Sequence, residues 1–163
     1  MSQEKAYEIL SSEEQEVIGK AIYSLVSECP AIPKSVKKSY GDINSNTVGM
    51  FAEQGAIIRE RYVNGAFIAQ YPFTLLYRSK PDSDKERMAR EETLSNIAKW
   101  LCGKEIVLIE TGYKLSEYPA LTDGRKIIGI EQRQTVYPAG KLEDGSVDYQ
   151  VHLIVEYRKK GMY

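Results

Sequence analysis

Residues 73–92 read FTLLYRSKPDSDKERMAREE, and the stretch changes character halfway. Its first third alternates apolar side chains as a strand does, and its last half opens a helix. Pro81 turns the chain between the two. Asp82 or Ser83 caps the helix, and Asp84 and Glu86 suit its first turn, where negative charge meets the positive end of the helix dipole. The stretch is therefore a joint between two packed elements, and it sets the order of the rest.

Upstream, AIIRERY, VNGA and FIAQYPFTLLYRS predict a long β-hairpin over residues 47–78. Asn64-Gly65 marks a two-residue turn, since both residue types accept positive φ. Phe67, Ala69, Tyr71, Phe73, Leu75 and Tyr77 share one face. Pro72 interrupts that strand and points to an edge or a bulge. Before the hairpin, Val17, Ile18, Ala21, Ile22, Leu25 and Val26 line one face of a helix over 12–29. Ser12 with Gln15, or Ser11 with Glu14, can close a capping box, and Pro30 stops the helix. Residues 30–46, rich in Pro, Ser, Asn and Lys, read as an irregular and mobile segment, because connections that long in a compact domain usually serve function or motion.

Downstream, the helix over 82–102 carries the stripe Leu94, Ile97, Ala98 and Leu101 and stops at Gly103. EIVLIE (105–110) is a short apolar strand. RKIIGIEQRQTVY (125–137) and VDYQVHLIVEYR (147–158) are alternating strands, the second with Val147, Tyr149, Val151, Leu153, Val155 and Tyr157 on one face. Asp123-Gly124 and Asp144-Gly145 mark turns. The order α-β-β-α-β-β-β does not alternate helix with strand. It predicts an α+β fold: one domain over residues 1–163, its mostly antiparallel or mixed sheet packed against two helices. No internal repeat stands out.

Apolar residues make up 42% and charged residues 28%, the composition of a folded globular chain. Net charge is -1, so no overall field favours nucleic acid or an anionic membrane. Cys29 and Cys102 are too few and too distant for a metal knuckle or redox motif. The N-terminus has no apolar run of a signal peptide, and no apolar stretch reaches the length of about 18 residues of a membrane span. The expected location is the cytoplasm. Tyr is over-represented, 12 against 3 Phe and 1 Trp, which fits a protein interface or a half-exposed sheet face.

Catalytic signatures are sparse. His152 is the sole histidine and alternates to the face opposite the apolar set, where a solvated position accounts for it. Neither GDINSNTVG nor TGYKLSEYPALTDG has the context of a phosphate loop. The carboxylates of SSEEQE and AREE fall in helix first turns. The basic runs PKSVKK (33–38) and YRKKG (157–161) lack interleaved aromatics, which leaves nucleic acid an improbable partner. No metal, no cofactor and no enzymatic activity are expected. Arg87 and Arg90 extend the Leu94–Leu101 stripe toward the helix start. They either pair with acids at the core edge or reach a partner, a use the planar guanidinium suits.

The stretch AFIAQYPFTLLYRSKPDSDKERMAREETLSNIAKWL resembles the centre of the small minor capsid or tail-terminator (tail-completion) proteins of tailed phages and prophages. The resemblance rests on Phe73, Leu75, Tyr77, Arg78, Pro81, Asp82, Arg87, Leu94, Ile97, Trp100 and Leu101, and covers about 100 residues. It implies a structural role. Such proteins form rings, commonly hexameric, on the finished tail tube, stop its growth and receive the head connector. The implied partners are further copies of the chain, the tail-tube protein and a head-connector or stopper protein, first in the host cytoplasm and then in the virion. Ring contacts are heterologous and need two different adhesive faces. The candidate interface residues are Arg87 and Arg90 on the helix and Tyr71, Tyr149 and Tyr157 on the strands. The N-terminal extension and residues 112–124 have no place in the family pattern. Two alternatives stand beside this reading: another head–tail joining or tail-tube component, and a small oligomeric enzyme with its site between subunits.

Overall fold

The computed structural model describes residues 7–161. Strand β1 (Glu8–Ile9) precedes helix α1 (Ser12–Ser27). Strands β2 (Lys37–Tyr40), β3 (Thr47–Ala52), β4 (Ile57–Arg61) and β5 (Phe67–Ser79) lead to helix α2 (Asp84–Leu101). Then come β6 (Ile106–Leu108), β7 (Thr111–Tyr113), β8 (Arg125–Gln132), β9 (Tyr137–Lys141) and β10 (Val147–Lys159). The fold is α+β as expected, with more and shorter strands than the sequence pattern resolves.

Two 13-residue strands, β5 and β10, lie antiparallel at the centre of the sheet. β3 and β4 follow one another along the free side of β5, and β8 and β9 do the same along β10. The first arm of the expected hairpin is thus two strands with a kink at residues 53–56. Pro72 explains the kink. It sits mid-strand in a central strand, not at an edge, and its carbonyl accepts from the Glu53 N–H at 3.1 Å. The N–H that Pro lacks would point to the same side, where the partner strand breaks.

His152 stands at the matching break on the other side, its carbonyl accepting from the Arg133 N–H at 2.7 Å. This is one instance of a repeat that the sequence reading missed, at a constant offset of 80 (from 72 to 152). Arg61 pairs with Phe67, and Lys141 with Val147. The Tyr62 N–H reaches Ala66 O at 2.8 Å, and the Leu142 N–H reaches Ser146 O at 2.7 Å. Gly65 (φ 88) and Gly145 (φ 89) close the two turns. Each is a three-residue loop in which the glycine alone takes positive φ, so the two-residue turn expected at Asn64-Gly65 is corrected. Asn64 and Asp144 each accept the N–H two residues on, from Ala66 at 3.0 Å and Ser146 at 2.9 Å. In the β5–β10 ladder Tyr77 faces Tyr149, Phe73 faces Leu153 and Ala69 faces Tyr157. Shifting by 80 maps this ladder onto itself, so the two strand units are related by a pseudo-dyad through the Phe73–Leu153 pair. Few side chains coincide at this offset, so the repeat is not visible in the sequence pattern; what recurs is the backbone chemistry of turns and kinks.

The alternating apolar faces of β5 and β10 are buried together with Ile18, Ile22, Leu25 and Val26 of α1 and Leu94, Ile97, Ala98 and Leu101 of α2 in one core. Ser11 caps α1 and Ser83 caps α2, each accepting an N–H three residues on at 3.2 Å. Residues 30–46, expected to be irregular and mobile, are irregular over most of their length, with β2 set inside them. Ala31, Ile32 and Val36 are buried, and β2 pairs parallel with β3. Lys37 and Lys38 of PKSVKK lie on this edge strand, where charge discourages pairing with another sheet.

β6 and β7 form a separate hairpin whose turn residues, Ile109 and Glu110, both have positive φ (47 and 65). A β-branched residue is costly there, and Ile109 is 99% exposed, so it gains nothing from packing. Replacing Ile109-Glu110 by Asn-Gly is expected to stabilise the protein by about 1 kcal/mol. Urea titration of the double variant reads this directly, and an unchanged midpoint would contradict it.

Candidate functional site: the helix-free sheet face

Both helices pack on one face of the sheet, and no helix among the described residues covers the other. The outward side chains of β5 and β10 alternate with the core set and are mostly half-buried: Ile68, Gln70, Pro72 and Arg78 on β5, and Asp148, Gln150, His152, Ile154 and Glu156 on β10. Cross-strand pairs join them. Arg78 clasps Asp148 with both its Nε (2.7 Å) and its Nη2 (2.9 Å). Arg59 donates to Glu156 at 2.9 Å. The first pair bridges the neighbouring strands β5 and β10, and the second reaches across β5 to join β4 to β10.

His152 sits near the middle of this face, at the pseudo-dyad. Its Nδ1 meets the Glu53 carboxylate and lies 2.9 Å from the Thr74 hydroxyl. Its Nε2 lies 3.1 Å from the Tyr137 hydroxyl. Tyr137 also donates to Gln150 at 3.2 Å, and Thr74 donates to Glu53. Four elements converge here: the 53–56 kink, β5, β9 and β10. The expected position opposite the apolar set is right, but the expected solvated histidine is corrected to a hydrogen-bonded, half-buried one. Neither Glu53 nor Tyr137 is near His152 in sequence. The one signal that could have found Glu53 is the repeat, which puts a strand break beside both Pro72 and His152. With one ring nitrogen against a carboxylate and the other against a phenol, the imidazole ties β10 to the elements on both sides. The cluster stiffens the centre of the face.

The structure separates the candidate interface residues. Tyr71, Tyr149 and Tyr157 are at most 1% exposed and lie in the core between sheet and helices. That corrects their assignment to a partner surface, because β5 and β10 turn these rings toward α1 and α2. Burial raises the pKa of all three hydroxyls. Arg87 is exposed and meets only Asp84 of its own helix, at 3.5 Å. Arg90 is half-buried and donates to the Ser79 hydroxyl at 2.9 Å, a contact with a neutral side chain and not with the acid expected at the core edge.

Buried polar chemistry missed by the sequence reading lies on the helix side. Glu14 and Arg125 are 7% and 6% exposed. Arg125 grips the carboxylate through Nε and through Nη2 at 2.8 Å, and the Tyr157 hydroxyl donates to it at 3.0 Å. The Arg125 hydrogen bonds hold the Glu14 carboxyl below its ordinary pKa. The capping box expected of Ser11 and Glu14 is therefore half made: Ser11 caps, while the Glu14 carboxylate turns to Arg125.

Cys29 and Cys102 are free, and burial pushes Cys29 up to about 11 and Cys102 upward as well. Thiols so disposed are poor nucleophiles at neutral pH. No group of three or more His, Cys, Asp or Glu side chains is placed to hold a metal among the described residues. No described helix is long and apolar enough to cross a membrane. No known family model matches the chain, and no curated protein matches it either.

Proposed function

We propose that the chain is a structural subunit of a phage-type tail, a tail terminator that assembles into a ring, caps the tail tube and receives the head connector. One observation carries this reading. The central strands present a broad face, apolar at Ile68, Pro72 and Ile154 and studded with paired charges, that no helix covers. Surfaces that mix apolar patches with satisfied polar groups match protein–protein interfaces better than they match solvent. The hydrogen-bonded centre around His152 makes the face rigid, so little entropy is lost when a neighbour docks on it. The exposed Arg87 at the start of α2 lies on the opposite side of the sheet, which gives the two distinct surfaces a closed ring requires. The family resemblance of residues 66–101 supplies the tail context.

Size-exclusion chromatography with light scattering, run across a wide range of protein concentration and with added tail-tube protein, tests the proposal. The expected result is a discrete ring, a hexamer foremost. Ile154→Lys should abolish it at a cost to monomer stability well below that of a core truncation, because the side chain is only half-buried. A monomer at every concentration, with and without tube protein, would remove the ring reading.

A further inference from the structure

The pseudo-dyad relates two grooves on the helix side of the sheet, and the chain itself lays a strand along only one of them, beside a remaining cavity of about 360 Å³. In the first half, β1 lies beside β4, and Leu10, 1% exposed, packs into the groove floor. Arg61 secures this segment with a two-pronged ion pair to Glu8, both bonds 2.9 Å. The counterpart in the second half is a cavity of about 360 Å³ between the start of α2 and β9. Lys141 stands there at Arg61's place, and Val147 stands at Phe67's. Lys141 has no ion-pair partner among the described residues. Arg87 hangs over the cavity from α2, and Tyr149 forms its floor. The Tyr149 hydroxyl is buried and has no hydrogen-bond partner. A buried hydroxyl left unpaired is costly, and this one lies beneath the cavity floor and is closed off from it.

We infer that this groove binds an extended peptide segment of a partner protein, one that presents a carboxylate to Lys141 and an aliphatic side chain to the cavity. The pseudo-dyad shows the chemistry: the equivalent groove holds Glu8, Ile9 and Leu10 of this chain. Lys141 is the cation of the cavity wall without an ion-pair partner among the described residues, while Arg87 shares its charge with Asp84 at 3.5 Å, so Lys141 is the side chain that would meet the carboxylate of such a segment. Side chains do most of the anchoring, because Pro138 of β9 offers no N–H where Ile58 of β4 pairs with Glu8. The inference stands apart from the ring reading, since a monomer can bind such a peptide.

The test uses the isotope-labelled full chain and the acetylated, amidated peptide Tyr-Glu-Ile-Leu-Ser, the sequence of residues 7–11. Saturable amide shifts are expected at Arg87, Lys141, Val147 and Tyr149. Replacing the peptide's Glu by Gln, or Lys141 by Gln in the protein, should weaken binding about tenfold, the scale of one charge-assisted hydrogen bond. Tyr149→Phe is the structural control: it should raise the melting temperature by removing an unpaired buried hydroxyl and leave the peptide's affinity unchanged. Three outcomes would overturn the inference: shifts confined to β4, from a peptide competing with β1; equal binding of the Gln peptide; or the same shifts from inorganic phosphate alone.

Discussion

Arg125→Ala is expected to lower stability by about 3–5 kcal/mol, the cost of stranding a buried charge. The partner left behind, Glu14, is 7% exposed and keeps only Tyr157 at 3.0 Å and the more distant Lys159 at 3.7 Å. Neither replaces a two-pronged guanidinium. The pair also ties three elements together, since Glu14 belongs to the first turn of α1, Arg125 opens β8 and Tyr157 lies on β10. Removing both charges should cost much less: Glu14→Leu combined with Arg125→Met leaves no ion to desolvate and should recover most of the loss. Urea denaturation of the two singles and the double gives the coupling. If the double were as unstable as Arg125→Ala, the loss would come from packing and not from the stranded charge.

The same pair sets an acid limit. Arg125 depresses the folded-state pKa of Glu14 below its unfolded value, which is about 4.3 for an unfolded glutamate. Its stabilising contribution is thus fully present above about pH 5 and is lost as pH falls through the lowered folded pKa. Glu14→Gln should flatten that part of the stability profile and leave neutral-pH stability reduced.

Much of the fold was legible because alternation and helical spacing report burial directly. Every residue assigned to the inward faces of β5 and β10 is buried, and so is the stripe on α2. Three features were not legible, each for a physical reason. Strand breaks at residues 53–56 and 133–136 depend on what the neighbouring strand offers at Pro72 and His152, which local propensity does not encode. The Glu14–Arg125 pair joins residues far apart in the chain, and each alone reads as a surface charge. Tyr was read from its interfacial habit, whereas four of the twelve rings (Tyr71, Tyr77, Tyr149 and Tyr157) build the core. The tyrosine hydroxyls that reach the helix side then define local chemistry: Tyr157 completes the ion pair, and Tyr149 stays buried without a partner.

Phe73→Ala should cost about 3–5 kcal/mol, the range for emptying a buried aromatic site. The ring is fully buried, faces Leu153 across the central ladder, and stacks at 6.5 Å on Tyr71. Its place at the pseudo-dyad makes the form of the transition as informative as its midpoint. The two halves share no hairpin; they meet along β5 and β10 and between α1 and α2 in one continuous core. A single core unfolds in a single step, so the variant should show a lower denaturant midpoint with an unchanged slope. Were the halves separate units that merely touch, weakening their central contact would split the transition in two or shrink its slope. Tyrosine fluorescence and far-ultraviolet circular dichroism, followed together through the urea titration, distinguish these outcomes: coincident curves fit one core, and divergent curves would mean that the duplicated units keep their own stability.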